Sequence, residues 1–161
     1  MKITLKTTKP VKKNNFKPSK KQIQKILVPL DGSKNSLRGL DTAIEIARTS
    51  EGIIIVVFVV PVVLTSSFQP IDHSPEIIRK YGEEILKSAK TRAARKGVLM
   101  NSKILCGDAG NMITRYANLK NNRISLIVIG SRGNSGLKEL FLGSTSTYVI
   151  HKSKIPVLVV K

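Results

Sequence analysis

Apolar residues fall in short blocks along this chain, and the blocks alternate between two periods. The run KILVPL (25–30) is β-rich and is closed by Asp31-Gly32. The next stretch, 33–50, places Leu37, Leu40, Ala43, Ile44 and Ala47 at helical spacing, as one buried stripe requires. Ser33 suits the N-cap of that helix, because its hydroxyl can accept from a free amide of the first turn. Glu51-Gly52 ends the helix, and IIIVVFVV (53–60) follows. A continuous Ile/Val run fits a central parallel strand covered on both faces.

Residues 61–74 form a long irregular connection. Pro75 suits the first turn of a second helix, predicted to run to about Lys96 with Gly97 as its stop. Its last turns carry Lys87, Lys90, Arg92, Arg95 and Lys96, cations at the negative end of the helix dipole. The pattern then predicts a strand over 99–105, a helix over 111–120, a strand over 124–130, a helix over 144–153 and a last strand over 155–160. Such βαβαβαβαβ alternation implies an α/β fold. It is a single-domain open sheet of five parallel strands, with helices on both faces and right-handed crossovers.

Composition changes this picture at the N-terminus. The chain has 161 residues, 41% of them hydrophobic, which suits one domain with a sizeable core. Its formal net charge is +18, and nine lysines without any acid lie between Met1 and Lys25, so half of the excess is local. Residues 1–22 read as a basic disordered tail and 23–161 as the folded domain. Three readings of the tail stay open: a solvated arm, a weak nucleic-acid arm, or a binder of acidic protein or membrane surface. Phe16 is the one aromatic residue there that could stack on a base.

The lone cysteine, Cys106, rules out an intrachain disulfide and a Cys-based zinc site. It fits a reducing cytosol, so a cytoplasmic location is expected, with Cys106 as a small buried hydrophobe. The longest apolar run is broken by Pro61 and falls well short of the ~20 residues that span a bilayer as a helix. The Lys-rich start has no apolar stretch behind it and does not read as a signal peptide.

In open parallel sheets, ligands bind beyond the carboxyl ends of the strands. Three elements land on that edge: Asp31-Gly32-Ser33, the end of the second strand at Val59, and the stretch GSRGNSGLKELFLGSTS (130–146). Glycine at 130 and 133 lets backbone approach a bulky anion. Gly143, Ser144 and Thr145 open a helix, whose first amides and dipole favour phosphate. Local chemistry leaves two readings: a phosphate cradle, or a plain strand-to-helix loop in which Ser144 only caps the helix. The chain has no Gly-Lys pair, so it lacks a Walker P-loop. Its glycines follow the fourth strand rather than the first, against the dinucleotide fingerprint.

The spacing Gly130-x2-Gly133-x9-Gly143-Ser144 resembles the nucleotide-binding motif of the universal stress protein family. KILVPLDGS at the start and IPVLVVK at the end extend the resemblance over residues 25–161. It implies a flavodoxin-like strand order, 3-2-1-4-5, and a homodimer. The full glycine motif is similar to that of the ATP-binding branch, which implies ATP as ligand, with or without Mg²⁺. By position, Pro29 and Asp31 would sit by the adenosine, with Asp31 near the ribose; Val59 would contact adenine and Ile129 the nucleoside. Gly130, Gly133, Gly143, Ser144 and Thr145 would surround the phosphates. Two positions depart from the family pattern: Phe58 where His is frequent, and Ser125 where Asp is frequent.

Other residues add less. Arg132 stands between two glycines, either near phosphate or solvated. Asp72 and His73 could pair as a base and its orienting partner, but nothing accompanies them. His151, near the end of the last helix, suits the dipole. The last strand has no helix after it, so its open edge invites antiparallel pairing with a second copy. The sequence therefore points to a homodimeric nucleotide-binding sensor or regulator of a stress response. A slow Mg-dependent ATPase and a nucleic-acid-associated protein acting through its tail are the alternatives. No general base stands near the phosphate-facing residues.

Overall fold

A computed structural model describes residues 23–62, 75–133 and 142–161. The lysine-rich tail, Asp72, His73 and Gly136 lie outside them. Five strands alternate with four helices: β1 (Lys25–Pro29), α1 (Lys34–Ser50), β2 (Ile53–Val60), α2 (Pro75–Ala94), β3 (Met100–Cys106), α3 (Ala109–Asn118), β4 (Leu126–Gly130), α4 (Ser144–Lys152) and β5 (Val157–Val160). A short 3-10 turn, Lys120–Asn122, follows α3. All strand pairs are parallel and the sheet order is β3-β2-β1-β4-β5.

The continuous apolar runs divide between two cores by their period of two. Ile26, Val28, Leu30, Ile54, Val56 and Phe58 face α1 and α2. Leu27, Ile55 and Val57 face the opposite side, with Ile113 of α3 and Val149 of α4. Each fully buried Leu, Ile or Val contributes about 1.5–3 kcal/mol over an exposed one, which holds helices on both faces of a sheet only five strands wide.

α1 lies close over the site because of a glycine pair. A Cβ at Gly39 would stand 3.4 Å from the Gly130 amide nitrogen. A Cβ at Gly130 would stand 2.7–2.9 Å from the backbone of Asn35 and Ser36. The helix therefore rests on the end of β4, backbone to backbone. Phe58 fills a similar notch: its ring occupies the space beside Gly82 and meets Tyr81 edge-on, with centroids 6.2 Å apart.

Ser125 shows what a hydroxyl does where the family pattern often has Asp. Its Oγ accepts from the amides of Gln24 and Lys25 at 3.1 and 3.0 Å and donates to the Lys25 carbonyl at 2.9 Å. A carboxylate could accept but not donate. The serine thus ties the start of β4 to the start of β1 from both sides.

Three local expectations change. Glu51, not Gly52, takes the left-handed conformation that ends α1, at φ 52°. Gly52 serves close approach instead, since a Cβ there would meet the Ile23 carbonyl at 2.6 Å. α3 starts two residues earlier than expected, because the Asp108 carboxylate caps it by accepting from the Asn111 amide at 2.8 Å. Cys106 is exposed rather than buried, since it ends β3, an edge strand. Among the described residues no helix is long and apolar enough to cross a membrane.

Candidate functional site

The carboxyl ends of β1, β2 and β4 open into a cavity of about 290 Å³ between α1, α3 and α4. All nine residues singled out by sequence line it: Pro29, Asp31, Val59, Ile129, Gly130, Gly133, Gly143, Ser144 and Thr145. Arg132 lines it too. Sequence reasoning missed Leu30, Ser36, Val57, Ala109, Ile113 and Ser146. Val57 was readable as the same-face neighbour of Val59 on an alternating strand. Ala109 and Ile113 were not, because their place depends on α3 crossing back over the sheet.

One side of the cavity is apolar. Val57 and Ile129 rise from the sheet and Ile113 descends from α3, all buried. The other side is polar and is built from three connected turns. At the first, the Asp31 carboxylate accepts from the Ser33 amide at 3.0 Å, an Asx turn that aims the acid. Gly32 turns the chain there in the left-handed region, at φ 82°. Gly133 presses against the other carboxylate oxygen so closely that a Cβ would collide with it.

At the second turn, the Ser33 hydroxyl accepts from the Ser36 amide at 3.1 Å and donates to the Arg132 carbonyl at 3.4 Å. Ser33 therefore caps α1 and fastens it to the stretch after β4. At the third, the Ser131 carbonyl accepts from the Gly143 amide at 2.8 Å and from the Ser146 hydroxyl at 2.9 Å. The excursion after Gly133 is thus closed where it returns to α4.

This geometry reassigns two glycines and a serine. The Gly143 amide is committed to Ser131, so it is not among the amides left for a ligand. Gly143 is instead the N-cap of α4, with φ −68° and ψ 158°, and Ser144 is the first helical residue rather than the cap. Gly130 permits the approach of α1 more than that of an anion.

The consequence concerns the helix ends. Ser33 caps α1 and Asp108 caps α3 through their side chains, whereas no side chain caps α4. A glycine N-cap has no oxygen to offer, so the first-turn amides of α4 keep their hydrogen-bonding capacity and the positive end of the dipole. They face the cavity beside Thr145 and Arg132.

Around Tyr116 of α3, the Lys103 ammonium lies 5.9 Å from the ring centroid. Burial pushes the Tyr116 phenol upward, so it stays protonated through the physiological range. No group of three His, Cys, Asp or Glu side chains that could hold a metal occurs among the described residues.

A doubly wound sheet with a crevice at its carboxyl edge, one side apolar and the other an uncapped helix end, defines an α/β protein of the flavodoxin-like order. A model of the universal stress protein family matches residues 22–161, and the chain belongs to that family. It is similar to the universal stress protein YxiE of Bacillus subtilis, at 40% identity over 147 residues, covering 85% of this chain and 98% of the relative. The universal stress protein UspA from Lactobacillus plantarum has the same fold, with a TM-score of 0.73 at 22% identity, covering 87% of this chain and 99% of the other. A universal stress protein solved in complex with cAMP superposes with a TM-score of 0.66 at 28% identity, covering 87% of this chain and 98% of the other.

Proposed function

We propose that the cavity binds an adenine nucleotide, ATP with or without Mg²⁺, and that the occupied protein acts as a homodimeric sensor or regulator in a stress response. The observation that carries the reading is the contrast between helix ends: α4 alone among α1, α3 and α4 opens on the cavity without a side-chain cap. Phosphate would meet its amides, with the Ser144 and Thr145 hydroxyls and Arg132 adjacent. The purine would lie against Val57, Val59, Ile113 and Ile129, and the ribose hydroxyls would meet Asp31. The cAMP bound by a structural relative contains an adenosine and a phosphate, the two groups these walls suit.

Calorimetric titration with ATP tests the assignment. Asp31→Ala removes a charged acceptor, worth about 1.5–3 kcal/mol, and should weaken binding roughly tenfold or more. Unchanged affinity would take the ribose away from Asp31. Mass spectrometry of small molecules released from the denatured protein identifies the nucleotide, and recovery of a non-nucleotide ligand would overturn the reading.

The dimer rests on β5. That strand pairs with β4 on one side and ends the sheet on the other, with Leu158 38% exposed. Antiparallel pairing of two such edges gives a two-fold contact. Sedimentation equilibrium at tens of micromolar should return twice the chain mass; a monomer there removes the proposal.

A further inference from the structure

Charge is distributed unevenly over the two faces of the sheet. The three ion pairs among the described residues, Arg48–Glu45, Arg79–Glu83 and Arg92–Asp41, all lie on α1 and α2. From Ala109 to Lys161 the described residues include seven Lys and Arg and no Asp or Glu; Glu139 of that stretch lies outside them.

Five of these cations gather at one end of the molecule. Arg115 stands in the last turn of α3, and Lys120 and Arg123 flank the 3-10 turn after it. Lys152 ends α4, and Lys154 lies two residues on. Asn118 holds the two segments together: its Nδ2 donates to the Lys152 carbonyl at 3.3 Å, and its Oδ1 accepts from the Lys154 amide at 2.9 Å. All five cationic residues are exposed.

Part of this charge answers the backbone. Two helix C-termini each carry about half a negative charge, which Arg115 and Lys152 offset. Lys120, Arg123 and Lys154 have no such counterpart and no acid nearby in sequence. The geometry points to a docking surface for the phosphate backbone of a nucleic-acid duplex, formed by Arg115, Lys120, Arg123, Lys152 and Lys154 at the C-terminal ends of α3 and α4.

The chemistry favours a duplex over the other polyanions. The exposed aromatic side chain nearest the five is Tyr148, one turn before Lys152 on α4, and a single ring is a poor platform for successive single-stranded bases. Leu119 and Ile150 are the exposed aliphatic side chains beside them, too few for the apolar face that sinks into a membrane interface. Fixed cations spread over two tied segments match a regular array of phosphates, which position a protein without specifying sequence.

The surface is separate from the cavity. None of the five cations lines the cavity; the last α3 residue that does is Ile113, and the helix ends five residues further on at Asn118, roughly 7.5 Å along its axis at 1.5 Å per residue. The inference therefore does not depend on what the cavity binds.

The test uses the full chain with the tail lysines Lys2, Lys6, Lys9, Lys12, Lys13, Lys17, Lys20 and Lys21 replaced by Gln, so that the tail contributes little. Fluorescence anisotropy with a 30-base-pair duplex should show binding at 50 mM salt. Adding Lys120→Gln, Lys152→Gln and Lys154→Gln should lower the slope of log affinity against log salt by about 2 to 3, at roughly 0.9 per phosphate contact. Affinity at fixed salt should drop at least tenfold. Lys87→Gln and Lys90→Gln on α2 with Arg95→Gln just after it should change neither, and millimolar ATP should not displace the duplex. No binding by the parent, or an unchanged slope in the first triple variant, overturns the proposal. An equal loss in the α2 variant assigns binding to net charge, and displacement by ATP assigns it to the cavity; either also overturns it. Vesicles with one-third phosphatidylserine should bind no tighter than neutral ones; tight binding lost in the first triple variant would make this a membrane surface instead.

Discussion

Gly143→Asp should abolish nucleotide binding while leaving the fold as stable as before, or slightly more so. Gly143 occupies an extended conformation open to any residue, and a Cβ there would stand 3.4 Å from Arg132 Cα, tight but tolerable. The new carboxylate would be an N-cap, among the side chains best suited to that position. It would accept from the same first-turn amides that the proposed phosphate needs and would add a negative charge beside them. The protein would carry its own competing anion. Affinity for ATP should fall at least 100-fold, about 2.7 kcal/mol, with the melting temperature unchanged or raised. A variant that melts normally and binds normally would falsify the cradle; one that melts early would show that Gly143 serves packing instead.

Gly130→Val is the converse experiment, with its main effect on stability. The added side chain would enter space held by the Asn35 and Ser36 backbone at 2.7–2.9 Å. Backbone on both sides cannot rotate away as a side chain tip can, so α1 must lift from β4. Overpacking of this kind costs about 1–3 kcal/mol or more. For a chain of this size that lowers the melting temperature by roughly 2–4 °C per kcal/mol. Lifting α1 also moves Ser33 and the Asp31 turn, so nucleotide affinity should fall with stability. A calorimetric scan that finds the variant within 1 °C of the parent would mean that the glycine pair is not what seats the helix.

These two residues show how far the sequence could be read. Element order, helix faces and the two-sided core follow from alternating apolar runs, because a period of two or 3.6 is local information; the strand order, which is not local, is implied by the family resemblance alone. The nine proposed site residues could be grouped from sequence, since they lie at the carboxyl ends of β1, β2 and β4 and at the start of α4. Their individual roles could not be read there. Gly130 and Gly143 look alike in a motif, yet one makes room for a helix and the other withholds a cap. That difference depends on which backbone lies opposite, which no spacing encodes. Cys106 failed for a different reason: the general tendency of cysteine to be buried gives way at the end of an edge strand, β3.

The Ser131 carbonyl has a consequence beyond the site. It accepts from Gly143 and Ser146, so the chain that departs after Gly133 is fastened at its return independently of what lies between. One oxygen at the end of β4 thus sets where α4 begins, so a change in the sheet at Ser131 is passed directly to the first turn of that helix.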